Sequence, residues 1–357
     1  MNSFPLLVDV AWLSDHLKDV RLLDARAPMK YAHAHLPSAV NFPALTVTQA
    51  RPDKVRVLAD ATQLEKLIQA AGIHEDTHVV SYGERGSQDA AFLFWSLEMS
   101  GHQHLSLLNG GTEAWARAGH PLTQEAPAVQ IGTFRVKINS AGVVTGDWLL
   151  AHLDDENIQI VDNRSMTEYT GEDALAARGG HIPGALRFEW LDALNPDLTF
   201  RSSEELKELL AKAGVQPSKK IINYCQSGAR SAHAALAMKL AGWTDVRVYE
   251  ASWAEWGNHK KFPVETGMLT KKKESSANQD VSETESLDLR GELCPYTLID
   301  TKKKLSELSA GTALEVWIDN EDATQTIPHW AEQAGHEVLG LERLDQGWKI
   351  VLRKAKQ

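Results

Sequence analysis

The chain of 357 residues holds two cysteines, and each stands in a segment that would make a thiol reactive. One lies in Asn223-Tyr224-Cys225-Gln226-Ser227-Gly228-Ala229-Arg230-Ser231, the other in Leu289-Arg290-Gly291-Glu292-Leu293-Cys294-Pro295. A packing cysteine normally sits inside an apolar run. These two open polar turns, in which backbone N–H groups are free to face a thiolate. The chemistry open to such thiols is attack on sulfur, with the product held as a persulfide.

The elements that must position Cys225 can be read on either side of it. Ile221-Ile222-Asn223-Tyr224 reads as a buried strand, and a helix starts near Arg230 and runs through Ala232, Ala235, Leu236 and Leu240. Ligand sites of open α/β sheets form outside the carboxyl ends of the strands, where Cys225 lies. Successive N–H groups in so tight a turn make an anion-binding nest, and the helix N-terminus adds partial positive charge. Cys225 is therefore the expected nucleophile. Gln226, Ser227, Gly228, Ala229, Arg230 and Ser231 form the expected substrate cradle, with Arg230 as a fixed cation.

A repeat of roughly 140 residues organises the first three quarters of the chain. Leu22-Leu23-Asp24-Ala25-Arg26 recurs as Ile160-Val161-Asp162-Asn163-Arg164, Tyr31 as Tyr169, and His35-Leu36-Pro37 as His181-Ile182-Pro183. Val79-Val80-Ser81-Tyr82-Gly83 lines up with Ile221-Ile222-Asn223-Tyr224-Cys225, and Gly110 to Trp115 with Ala251 to Trp256. Short apolar strands over 21–24, 79–82, 106–108, 159–162, 221–224 and 246–249 alternate with helical patterns such as 62–71 and 203–213. That alternation predicts βαβ units, parallel sheets and helices on both faces. Gly83 stands where Cys225 does and Gln88 where Arg230 does, so the first copy has neither nucleophile nor cation. Arg85 in its loop reads as a solvated surface residue.

Thirty-seven basic against 48 acidic residues give a net charge of -11, which argues against nucleic acid or an anionic membrane as a direct partner. No apolar stretch is long enough to span a bilayer and no signal peptide is visible at the N-terminus. Two cysteines in separate motifs make no disulfide framework, and reactive thiols persist in a reducing compartment, so a cytoplasmic location is expected. His33, His35, His102, His104 and His181 show no zinc-site spacing; His35 and His181, equivalent in the repeat, read as hydrogen-bonded turn residues. No metal or cofactor is expected. Trp243, Trp253 and Trp256 read mainly as core, with Trp253 placed either to pack there or to wall the Cys225 pocket. Asp162 and Arg164 read as braces of the loop.

These paired Asp-x-Arg, Tyr, His-x-Pro and Gly/Ser-x-x-x-Trp elements, with Cys225 to Arg230, resemble the tandem rhodanese sulfurtransferases. The resemblance implies a degenerate rhodanese-like domain over 1–125 and a catalytic one over 126–267. It also implies a Cys225 that accepts sulfane sulfur from a small donor. Arg230 follows Cys225 by five positions, one fewer than in the Cys-x5-Arg loop of phosphatases and arsenate reductases, and the shorter loop suits a persulfide sulfur. Thiosulfate, a glutathione persulfide and a protein persulfide all remain open as donors, with thiosulfate ranked first. Mercaptopyruvate ranks last, because the loop departs from Cys-Gly-Ser-Gly-Val-Thr and because Arg230 favours a small anionic group.

The stretch over 268–285, rich in Lys, Glu and Ser without apolar periodicity, reads as a flexible linker. About 20 such residues span roughly 25 Å and hold a tethered module at an effective concentration on the order of millimolar. The module over 286–357 reads as a βαβαββ two-layer α+β sandwich, with Cys294-Pro295 opening a helix that carries Lys302, Lys303 and Lys304 and a second helix over 323–334. Leu287-Asp288-Leu289-Arg290-Gly291, Cys294-Pro295, Asp319, a Thr324-to-Pro328 turn and Gly335-His336 resemble the TusA (SirA-like) sulfur carriers. Thr297 replaces the second proline of that motif. The resemblance implies that Cys294 accepts sulfur and passes it to a thiol acceptor or acceptor protein. The expected function is a sulfurtransferase in which Cys225 loads Cys294. The alternative has Cys225 serving small acceptors such as cyanide or glutathione, with the last module only docking a partner.

Overall fold

The computed structural model describes residues 4–267, 284–291, 296–344 and 347–355. The chain forms two compact units, Met1–Thr266 and Gly267–Gln357. In the first unit the strands are β1 (Leu7–Val8), β2 (Arg21–Asp24), β3 (Val40–Asn41), β4 (Thr48–Ala50), β5 (Arg56–Leu58), β6 (Val79–Tyr82) and β7 (Leu105–Leu108). They are followed by β8 (Val143–Val144), β9 (Ile158–Asp162), β10 (Leu186–Arg187), β11 (Lys220–Tyr224) and β12 (Val246–Tyr249). Two five-stranded sheets result, ordered β1-β7-β6-β2-β3 and β8-β12-β11-β9-β10, which is one topology used twice. All pairings within them are parallel. Every residue of β6 and β7 is buried, as the unbroken apolar runs require of strands covered on both faces.

Two helices join the copies. Gln88–Met99 and Ala229–Leu240 are equivalent in the repeat and pack on each other. The first buries Ala90 through Leu97 and Met99, the second Ser231 through Met238, so neither keeps the polar stripe of a surface helix. A single apolar cluster therefore runs through both copies, from Phe92 and Trp95 to Leu236 and Met238. The antiparallel hairpin β4–β5 also crosses over, its Val55 and Val57 entering the second copy's other apolar cluster. Its Leu58 N–H donates to Glu250 Oε2 at 2.7 Å.

The second unit contains β13 (Thr284–Asp288), helix Tyr296–Glu307, β14 (Ala313–Ile318), helix Glu321–Gln333, β15 (Glu337–Arg343) and β16 (Trp348–Arg353). The sheet order is β13-β14-β16-β15, with only the first pair parallel. This is the expected βαβαββ sandwich. The helix expected over 323–334 is present as Glu321–Gln333, and it takes in the Thr324-to-Pro328 segment that reads locally as a turn. Ala323, Ile327 and Ala331, four apart and fully buried, outweigh the missing N–H of Pro328. Most of the 268–285 linker lies outside the described residues, as do Cys294 and Pro295.

Candidate active site

Beneath the Cys225 turn lies a buried polar network. Asp162, at the end of β9, accepts from the Arg164 backbone N–H at 2.9 Å and from its Nη2 at 2.6 Å. The Tyr224 hydroxyl donates to Asp162 at 2.5 Å and accepts the Ile182 N–H at 3.1 Å. The strand ends and the His-x-Pro turn are thereby fixed to one carboxylate. Burial, then the charge of Asp162, pushes the Tyr224 phenol well above its ordinary range, so it stays a donor. Asp24, Arg26, Tyr82 and Leu36 repeat the arrangement in the first copy. His181 lies flat on Tyr169 with Nδ1 2.8 Å from the Tyr169 carbonyl oxygen, and His35 does the same with Tyr31. Both are turn residues, as read from their equivalence.

Cys225 follows β11 directly and is 1% exposed. Its N–H donates to Ser252 Oγ at 3.1 Å, and its carbonyl accepts the Trp253 N–H at 2.9 Å. The Gly228 N–H donates to Cys225 Sγ at 3.2 Å, a backbone donor aimed at the sulfur. That turn needs φ of +95° at Gly228, where a Cβ would stand 3.1 Å from the Glu250 carbonyl and 3.2 Å from Phe92 of the first copy. Gln226 is held at both ends: its carbonyl accepts from Ala254 N–H, and its Nε2 donates to the Leu175 carbonyl at 3.1 Å. Ser227 is the exposed tip, Ala229 is half-buried, and Ser231 Oγ donates to the Gly228 carbonyl at 2.8 Å. The Trp253 ring is fully buried, 4.4 Å from the Arg164 guanidinium, so it is the backbone of Trp253 that touches the Cys225 turn.

Arg230, expected as a fixed cation, is held by a carboxylate that the sequence reading did not name. Its Nη1 and Nη2 donate to the two carboxylate oxygens of Glu168 at 2.6 and 2.8 Å. Burial would raise the Glu168 carboxyl, but the hydrogen bonds and charge of Arg230, with Ser165, hold it below the usual range. Burial likewise opposes charge on Arg230, and Glu168 together with the charge at Cys225 raises its pKa nonetheless. Arg164 with Asp162 and Arg187 with Glu189 are matched in the same way.

Sequence reasoning missed Glu168 and Ser252, and the repeat carried a signal for each. Lys30, directly before Tyr31, holds the place of Glu168, so the copy without Arg230 also lacks its carboxylate. Gly111 holds the place of Ser252. Both have positive φ, +55° and +52°, but only serine brings a hydroxyl. In the first copy the Gly83 carbonyl accepts from Thr112 as Cys225 does from Trp253, and Arg85 is exposed.

In the second unit, Arg290 pairs with Asp288, and the Gly291 N–H donates to Asp319 at 2.9 and 3.0 Å, fixing the turn that leads toward Cys294. Thr297 is fully buried in the first turn of its helix, and its carbonyl accepts from Thr301 Oγ1 at 2.7 Å.

A family model described as the rhodanese-like domain matches residues 9–118 and 145–259. The chain belongs to the rhodanese family. A second model, described as sulfurtransferase TusA, matches residues 285–354, so this rhodanese-type sulfurtransferase carries a TusA domain at its C-terminal end. It is 34% identical to a thiosulfate sulfurtransferase of Azotobacter vinelandii over 265 residues, 74% of this chain and 98% of that protein. It is also 34% identical to the sulfur carrier protein TtuD of Thermus thermophilus over 278 residues, 73% of this chain and 97% of that one. Among solved structures, the anaerobic ergothioneine biosynthesis enzyme from Chlorobium limicola is similar, with a TM-score of 0.67 and 25% identity. That similarity covers 75% of this chain and 74% of that enzyme. The rhodanese unit contains no helix long and apolar enough to cross a membrane, and the same holds for all the described residues.

Proposed function

We propose that Cys225 takes sulfane sulfur from thiosulfate or a low-molecular-weight persulfide and passes it to Cys294 of the same kind of chain. The Gly228 N–H aimed at the Cys225 sulfur carries this reading. The Cys225 thiolate attacks the outer sulfur of the donor, the donor S–S bond breaks, and sulfite or a thiolate leaves with the electron pair. The Gly228 N–H then stabilises the new persulfide, as backbone donors stabilise an oxyanion. Gln226, Ser227, Ala229, Arg230 and Ser231 shape the cradle. In the second step the Cys294 thiolate attacks the outer sulfur of the persulfide and Cys225 leaves as thiolate, so no outside oxidant or reductant is needed. Both thiols must stay reduced between turnovers, which supports a cytoplasmic setting. An acceptor protein then receives the Cys294 sulfur.

The test is intact-mass spectrometry after mixing with thiosulfate or glutathione persulfide. Donor sulfur is expected on both cysteines of the wild type, on Cys225 alone in Cys294→Ser, and on neither in Cys225→Ala. Sulfur reaching Cys294 in Cys225→Ala would sink the relay. One observation favours the second reading, small acceptors with a docking module: the Azotobacter relative is matched along 98% of its length by the tandem alone. Under that reading, delivery to an acceptor protein survives Cys294→Ser.

A further inference from the structure

Around the Cys225 loop, three guanidinium groups stand close to three carboxylates, and each is matched: Arg164 with Asp162, Arg187 with Glu189, Arg230 with Glu168. The Arg230–Glu168 pair is bidentate, and the side chains are only 20% and 7% exposed. Glu168 is fixed from its other side as well, since its Oε2 accepts from the Ser165 N–H and hydroxyl in a capping box. The pair is thus built into the start of a helix and is not a chance meeting of surface side chains. In the first copy, Gln88 and Lys30 replace Arg230 and Glu168 together.

We infer that Glu168 sets donor choice by neutralising Arg230, so that the site prefers a persulfide, whose transferring sulfur carries no adjoining sulfonate, over the thiosulfate dianion. This rests on the reading of Cys225 as the sulfur acceptor. A donor must approach a sulfur that reacts as an anion. Thiosulfate brings two negative charges to that point and finds Arg230 already bidentate to a carboxylate, with the N-terminal end of helix Ala229–Leu240 and the Gly228 N–H left to attract it. A persulfide brings at most one negative charge there, on the transferring sulfur itself, and any carboxylates lie far from the reacting atom. In both cases the donor S–S bond breaks, and the leaving group, sulfite or a thiolate, takes the electron pair.

The experiment compares kcat/KM for thiosulfate and for glutathione persulfide in the full-length protein. In Glu168→Gln, which keeps the shape and one hydrogen bond to Arg230, the thiosulfate-to-persulfide ratio is expected to rise about ten-fold at low salt and to fall back as salt is added. In the Glu168→Gln/Arg230→Gln double variant the rise disappears. A ratio that is unchanged or lower in Glu168→Gln, or a rise that persists in the double variant, overturns the inference. The wild type supplies a measurement independent of folding in the variants. Its kcat/KM for thiosulfate is expected not to fall between about 0.02 and 0.3 M salt, and a steep fall, the mark of an unpaired attracting cation, overturns the inference. If neither donor labels Cys225 in the wild type, it is the sulfur-acceptor reading itself that fails.

Discussion

At the scale of single residues, the sulfur of Cys225 owes its setting to atoms that other residues contribute from their backbones. Gly228 supplies the donor and Trp253 holds the carbonyl. Gly228→Ala forces a Cβ into contact at 3.1–3.2 Å and an L side chain into positive φ, at an expected cost of about 1–3 kcal/mol. Chemical denaturation checks the cost, and sulfur transfer should drop with it, because the displaced atom is the one facing Cys225. Asp162→Asn attacks the level below. It leaves Arg164 buried without its charge partner and is expected to cost about 3–5 kcal/mol, again measured by denaturation. The turn at Cys225 and the bracing bond between Asp162 and Arg164 could be placed from the sequence because near neighbours in the chain form them. The bond from Arg230 to Glu168 could not, since it spans 62 residues and depends on where helix Met166–Thr170 begins.

At the scale of elements, the main strands were legible because their largely apolar runs are short and repeated, and β2, β6, β7, β9, β11 and β12 follow them, whereas β10, two residues long, gives no such run. Helix Glu321–Gln333 was legible too, as the pattern over 323–334, because its apolar spacing of four outweighs a proline that reads locally as a break. Helix Ala229–Leu240 carries His233, buried between Phe200 and Trp190. Burial pushes this imidazole down to about 3, and burial with the neighbouring His104, His102 and His16 pushes His78 down to about 4. Both fall below the unfolded value near 6.5, so the unfolded chain binds more protons between these limits. The rhodanese unit is therefore expected to keep its full stability above pH 6.5 and to lose it progressively as the pH falls toward about 4. Thermal melts across that window check the sign, and His233→Gln should flatten the slope.

At the scale of the whole molecule, two relatives matched along 98% and 97% of their length are matched by only 74% and 73% of this chain, whose first compact unit is Met1–Thr266. A chain of residues 1–267 is expected to fold and to load Cys225 at the full chain's rate, checked by stopped-flow labelling with donor sulfur. It should lose delivery to an acceptor protein by at least ten-fold, because the tether's effective concentration is on the order of millimolar. Equal delivery by the short chain would remove the TusA domain from the pathway.

Helices Gln88–Met99 and Ala229–Leu240, with no polar stripe on either, also say something about ancestry. A duplicated enzyme starts with two working copies, and either can lose its chemistry at no structural cost. With alanine and leucine buried on both joining helices, and phenylalanine on the first, a copy made alone is expected to expose that apolar surface to water. Such shared burial acts as a ratchet. Gly83 stands where Cys225 does in the other copy, while Phe92, nine residues on, packs against the Gly228 turn that faces the Cys225 sulfur.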